Sequence, residues 1–164
     1  MQLKSSAFAT RQAIPVRYTG EGADESPPLS WAEVPSAAKS LVLIVEDPDA
    51  PSPKHPAKEP WVHLVVFNIP IAISDLPAAI ARERQLRSLG DAEQGRNSWP
   101  DDHLGYRGPM PPPGSGPHRY RFQLYALDTR LSLTMAAPTK QNVLHARRGH
   151  VLDEAQLIGV YERS

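Results

Sequence analysis

Cysteine is absent from this 164-residue chain, which excludes a disulfide framework, a thiolate metal site and a cysteine nucleophile. Net charge is missing as well. The 18 Lys and Arg balance 18 Asp and Glu, so no basic field recruits nucleic acid and no acidic tail forms a solvated arm. Long hydrophobic runs are also lacking. The start, Met1-Gln2-Leu3-Lys4-Ser5-Ser6-Ala7-Phe8, has no continuous apolar stretch of the signal-peptide kind, and no later run approaches the ~20 residues of a membrane span. These absences predict a soluble, cytoplasmic protein with no nucleic-acid partner and no transmembrane segment.

Proline, by contrast, is abundant. The 18 prolines make up about 11% of the chain against a usual ~5%, which disfavours long helices and fixes many turns and strand edges. A mainly β fold follows. The length suits one hydrophobic core, so residues 1–164 read as a single domain.

Three segments alternate with the period of a strand, in which side chains at i and i+2 share a face. In the first, Leu41, Leu43, Val45 and Asp47 share a face; in the second, Trp61, His63, Val65, Phe67 and Ile69; in the third, His118, Tyr120, Phe122, Leu124 and Ala126. Each is apolar with one polar end. If the first strand runs antiparallel to the other two, its C-terminal end meets their N-terminal ends. Asp47, Trp61, His63, His118 and Tyr120 then converge at one rim of the sheet. The third strand is entered from a loop stiffened by glycine and proline, Gly105-Tyr106-Arg107-Gly108-Pro109-Met110-Pro111-Pro112-Pro113-Gly114-Ser115-Gly116-Pro117, as suits a loop that holds a ligand.

Elsewhere the pattern predicts a short strand at 14–18 and a helix within 74–90, capped by Asp75 and ended near Gly90. It also predicts a helix at 140–148 capped by Thr139, a short helix at 152–156 and a final strand at 157–161. Trp31 and Trp99 read as packing residues, and His55 and His150 as exposed or structural ones. Arg82, Arg84, Arg87, Arg147 and Arg148 read as solvated helix faces. Asp101, Asp102 and His103 make a metal cluster on paper, but a solvated loop is the commoner meaning of such a run. The PxxP pattern at Pro109-Met110-Pro111-Pro112 is weak and is committed to the loop.

Asp47-Pro48-Asp49-Ala50-Pro51 with Trp61-Val62-His63, then Gly105-Tyr106-Arg107-Gly108-Pro109 and His118-Arg119-Tyr120, stand in an order that resembles the phosphatidylethanolamine-binding protein family. More narrowly, they resemble its bacterial Raf kinase inhibitor-like branch. The likeness runs from Pro27-Pro28-Leu29-Ser30-Trp31 to Leu157-Ile158-Gly159-Val160-Tyr161. It implies an antiparallel β-sandwich with a few short peripheral helices and one small anion-accepting pocket. Carried over by position, that pocket comprises Asp47, Trp61, His63, Gly108, Pro112, His118 and Tyr120, with Asp49 and Pro111 close by. Taken alone, Asp49 between prolines reads more readily as a turn residue. The resemblance further implies cis peptides at Ala50-Pro51 and Glu59-Pro60, and a protein partner of the kinase or protease kind. The homodimer of that branch has no residue pattern behind it here.

The chemistry of these residues suits a small anion: phosphate, a phosphomonoester, a phospholipid headgroup or a carboxylate. His63, His118, the Tyr120 hydroxyl and backbone N–H groups of the glycine loop supply donors. Asp47 orients a histidine and favours its charged donor form, so binding is expected to weaken as pH rises. Trp61 and the Pro111-Pro112 wall offer an apolar platform.

Two histidines and a carboxylate also suit a metal, or acid–base work on a phosphoester. Against this, the chain has no H-E-x-x-H helix, no G-x-S-x-G elbow and no P-loop, and Ser115 has no obvious base in sequence register. The leading expectation is a binding module without catalytic residues, cofactor or resident metal. A kinase or protease regulator, and a metal- or histidine-dependent phosphoester hydrolase, are the alternatives.

Overall fold

The computed structural model describes residues 1–101 and 104–164. In chain order its strands are β1 (Gln2–Lys4), β2 (Gln12–Ala13), β3 (Leu29–Ala32), β4 (Ser40–Asp47), β5 (Pro51–Ser52), β6 (His55–Pro56), β7 (Trp61–Ile69), β8 (Asp75–Leu76), β9 (Gln85–Leu86), β10 (Ala92–Gln94), β11 (His118–Leu127) and β12 (Val151–Tyr161). One α-helix, α1 (Lys140–Ala146), lies between the last two strands. The four long strands form the centre of a seven-stranded sheet of order β2-β12-β11-β4-β7-β10-β9, and β1-β3-β8 form a second sheet of three. Pairing is antiparallel except between β2 and β12. This is the expected mainly β sandwich. Among the described residues no helix is long and apolar enough to cross a membrane.

The main core lies between the two sheets. Leu41, Leu43 and Val45 of β4, with Tyr120, Phe122, Leu124 and Ala126 of β11, meet Leu3, Leu29, Trp31 and Leu76 of the smaller sheet. Val42, Ile44, Tyr125 and Leu127 on the opposite face are covered by Leu131 and by Val143 of α1. Central strands buried on both faces need apolar residues at nearly every position, and β4 is buried from end to end. The helix starts as expected. The Thr139 hydroxyl accepts the Asn142 N–H at 3.1 Å while the Asn142 side chain accepts the Thr139 N–H at 2.9 Å, a reciprocal cap.

Several local expectations give way to tertiary demands. No helix forms at 74–90; the segment holds β8, β9 and a 3-10 turn at Arg87–Leu89, with Gly90 left-handed at φ 65. Its polar groups bond to other parts of the chain: Ala79 N–H to Ser26 O at 2.9 Å, and the carbonyls of Ala81 and Glu83 to the Gln94 side chain. Residues 152–156 are not helical either, because β12 runs unbroken and pairs with nearly the whole of β11. The expected strand at 14–18 is a 3-10 turn, Val16–Tyr18, and the strand pairing falls earlier, at Gln12–Ala13. Ala50-Pro51 is cis. Glu59-Pro60 is trans, at a point where the chain passes into extended β7 without reversing.

β7 departs from simple alternation. Leu64 pairs with Val45 but Val62 pairs with Glu46, so His63 is an extra residue, and a second irregularity leaves Phe67 and Asn68 opposite the single residue Val42. Asn68 takes the left-handed conformation, φ 52. Bulges shift which side chains face which layer. Leu64, Val66 and Ile69 therefore join the main core, while Val62, Val65 and Phe67 face the helix side. The expectation that His63, Val65, Phe67 and Ile69 share one face is corrected accordingly.

Candidate functional site

β4 lies between β7 and β11 and runs antiparallel to both, so its C-terminal Asp47 meets the first residues of its neighbours. His118 Nδ1 lies 2.7 Å from Asp47 Oδ2, with both residues buried. The other Asp47 oxygen accepts the Asp49 N–H at 2.7 Å. Burial raises the Asp47 pKa, against the lowering effect of the His118 hydrogen bond and the Asp49 amide. His118 Nε2 lies 2.9 Å from the Ser115 hydroxyl, which itself donates to Pro112 O at 2.8 Å. Both ring nitrogens of His118 are thus engaged.

The second histidine has a different electrostatic character. His63 Nδ1 lies 2.6 Å from Arg107 O, and burial lowers its pKa from 6.5 to about 4 against hydrogen bonding to the Arg107 and Gly108 backbone. At neutral pH the ring is uncharged. Its one N–H serves the Arg107 carbonyl, so its remaining nitrogen accepts rather than donates. Its ring meets Tyr120 and Trp99 edge-on, with centroids 5.2 and 5.1 Å away. Burial, then the proximity of Asp47, raises the Tyr120 pKa far above its ordinary value, which keeps this hydroxyl a donor.

These groups open onto a cavity of about 460 Å³ lined by Asp47, Ala50, Pro51, Ala57, Glu59, Trp61, His63, Trp99, Met110, Pro111, Pro112, His118 and Tyr120. The floor is polar and the walls are apolar. Among the described residues no lysine or arginine lines it, whereas two carboxylates do, Asp47 and Glu59. The expected residues Asp47, Trp61, His63, Pro111, Pro112, His118 and Tyr120 come together here. Asp49 and Gly108 do not line it. The Asp49 carboxylate is held by Arg119, at 2.8 and 3.0 Å from its guanidinium and 2.9 Å from its N–H. The Gly108 N–H donates to Asp24 at 2.7 Å. Both fix the walls in place from behind.

A scan against protein-family models matches residues 4–162 to "Phosphatidylethanolamine-binding protein". The chain belongs to the phosphatidylethanolamine-binding protein family. The UPF0098 protein of Methanothermobacter thermautotrophicus is 50% identical over 165 residues, covering 99% of each chain. A crystal structure of a phosphatidylethanolamine-binding protein homologue from Chlamydia trachomatis is 42% identical, with a TM-score of 0.85 and coverage of 99% of this chain and 97% of its own. YbcL of Escherichia coli, described as a member of the mammalian family, is 31% identical at a TM-score of 0.86, covering 99% and 98%.

In this phosphatidylethanolamine-binding protein relative, sequence reasoning missed Trp99 and Ser115. Trp99 stands edge-on to Trp61 at 5.3 Å and lines the cavity, yet it lies outside every strand and has no periodic signal. Ser115 Oγ lies 2.9 Å from Nε2 of His118, three residues along the chain, and the turn that folds it back is invisible in a strand pattern. Ala50, Ala57, Glu59 and Met110 also reach the cavity from loops, and Pro51 from β5. The arginines expected on helix faces are largely engaged elsewhere: Arg84 binds Glu93 at 2.9 Å and covers Phe67, and Arg147 lies 4.1 Å over the Tyr125 ring. His150 contacts Asp128 at 2.7 Å and His55 is exposed. Asp102 and His103 of the paper metal cluster lie outside the described residues.

Proposed function

We propose that this chain binds a small molecule carrying a phosphoryl or carboxyl head on an apolar body. The observation that carries the reading is the cavity of about 460 Å³, with Asp47, His63, His118 and Tyr120 together on its floor and Trp61, Trp99, Met110 and three prolines on its walls. Its size falls within the range usual for small-ligand sites. Depth and chemistry are matched: the polar head meets hydrogen-bonding groups while the body covers aromatic and proline surfaces.

The donor inventory narrows the form of the head. Tyr120 donates, neutral His63 accepts, and Asp47 places negative charge nearby with no lysine or arginine among the described lining residues to offset it. A head that keeps one proton, such as a phosphomonoester monoanion or a carboxylic acid, satisfies both Tyr120 and His63. A dianion leaves His63 without a partner and faces Asp47. The second pKa of a phosphomonoester lies near 6, so binding strengthens as pH falls from 8 to 6.

Isothermal titration with phenyl phosphate, butyrate and a short-chain phosphatidylethanolamine, at pH 6 and 8, separates free acids from a lipid headgroup. Saturable binding that is tighter at pH 6, and at least tenfold weaker in Tyr120→Phe, is the expected result, since a lost hydrogen bond to a charged group costs about 1.5–3 kcal/mol. Failure of every probe to bind overturns the reading.

A further inference from the structure

Ser115, His118 and Asp47 stand in line. Ser115 Oγ is 2.9 Å from His118 Nε2, and His118 Nδ1 is 2.7 Å from Asp47 Oδ2. A serine, a histidine and a buried carboxylate in this order are the parts of a nucleophilic relay, which is recognised by geometry and not by sequence motif. His118 and Asp47 are almost wholly buried, at 0% and 3% exposure. With the Nδ1 N–H donating to Asp47, Nε2 is left to accept the Ser115 proton once that hydroxyl turns from Pro112 O. Asp47 thereby acts as a positioning residue.

The surroundings meet two further requirements. Access is open, because Ser115 is half-buried and a Cβ placed on either flanking glycine, Gly114 or Gly116, meets nothing within 4 Å. Among the described residues the Gly116 N–H donates no hydrogen bond. The amide following a nucleophilic serine commonly supplies one donor to the oxyanion of acyl transfer. Ser115 itself lies just outside the cavity lining, between Pro112 and His118, which both belong to it. Its proton has two acceptors at similar distance, Pro112 O at 2.8 Å and His118 Nε2, and only the second prepares attack.

We propose that Ser115 is a nucleophile, activated by His118 and Asp47, that takes an acyl group from a small carboxylic ester whose apolar arm rests in the adjoining cavity. Ser115 Oγ bonds to the carbonyl carbon as its proton passes to His118 Nε2. The ester C–O bond breaks, the alcohol leaves with that proton, and an acyl-serine remains. Water then attacks the acyl carbon, giving its proton to His118, which returns it to Ser115 as the acid departs. The net reaction is ester plus water to acid plus alcohol.

A fluorophosphonate tests the relay directly: the Ser115 O–P bond forms, the P–F bond breaks, and fluoride leaves. Intact-mass and peptide mass spectrometry of the full chain are expected to show one adduct per chain on Ser115, absent in Ser115→Ala. Labelling is expected to slow at least a hundredfold in His118→Ala and Asp47→Asn, with partial recovery in Asp47→Glu. Release of p-nitrophenol from p-nitrophenyl butyrate is expected to follow the same order. No adduct, an adduct on another residue, or Ser115 labelling at equal rate in Asp47→Asn would overturn the proposal. Because Ser115→Ala alters only the half-buried loop, its loss of labelling is readable even where His118→Ala misfolds. Labelling and reversible ligand binding are separate readouts, so either can fail without the other.

Discussion

The His63 ring stands edge-on to the Tyr120 ring, with centroids 5.2 Å apart and planes at 83°. The two residues belong to β7 and β11, which are separated by β4. They meet on one face because His63 is the extra residue of a bulge, and the neighbouring residues Val62 and Val65 point to the opposite layer.

Burial of His63 sets an acid limit on stability. Its pKa is about 4 when folded and 6.5 in the reference state, so on acidification the unfolded chain takes up the proton first. Stability therefore falls as pH drops from about 6.5 and the loss is complete below about 4, amounting to about 3 kcal/mol. Urea denaturation of the wild type and His63→Gln at pH 7, 5.5 and 4.5 is expected to show a shallower acid slope in the variant. Equal slopes would mean that the buried imidazole is not the titrating group.

Asp49 acts in a lower window. The Arg119 hydrogen bonds hold its carboxyl below the ordinary value of 3.8, so the folded state keeps the carboxylate longer than the unfolded state does. This stabilisation is present above about pH 4 and is lost as pH falls through the depressed folded pKa. Asp49→Asn is expected to cost about 1 kcal/mol at pH 7, because the Arg119 side chain is 58% exposed and water screens that part of the contact. The penalty relative to wild type should shrink as pH falls below the ordinary value of 3.8, measured by chemical denaturation; a penalty independent of pH would assign the effect to packing.

Gly108 tests the wall of the site from behind. A Cβ there would sit 2.3 Å from the Tyr18 carbonyl oxygen, a backbone atom that cannot swing aside. Gly108→Ala is expected to destabilise by about 2 kcal/mol, in the range of overpacked sites, and to weaken phenyl phosphate binding as the loop carrying Pro111 and Pro112 shifts. Gly114→Ala, at φ 75 with open space around it, is expected to cost only the left-handed backbone penalty of about 1 kcal/mol. Thermal melts of the two variants rank them; the reverse order would place the tight approach elsewhere.

By itself the sequence determined the long strands β4, β7 and β11 and the end at which they meet. The apolar pattern along 41–47 and 118–126 needs only local chemistry, because a buried strand face takes apolar residues at every second position and a strand buried on both faces takes them at nearly every one. The antiparallel order then brought Asp47, His118 and Tyr120 to one end, as it does in the structure. Tertiary structure decided what local pattern does not encode. The bulge at His63 is a mismatch between two strands, not a property of one. Residues 152–156 became strand because β11 has backbone groups to satisfy along its whole length. Trp99 reached the cavity, and Ser115 reached His118, through loops, whose course is set by distant partners such as Asn97 to Gly105 O and Gly114 N–H to Arg163 O. Periodicity reports which face of an element is buried; only packing decides which loops close over that face and which donors they leave unspent.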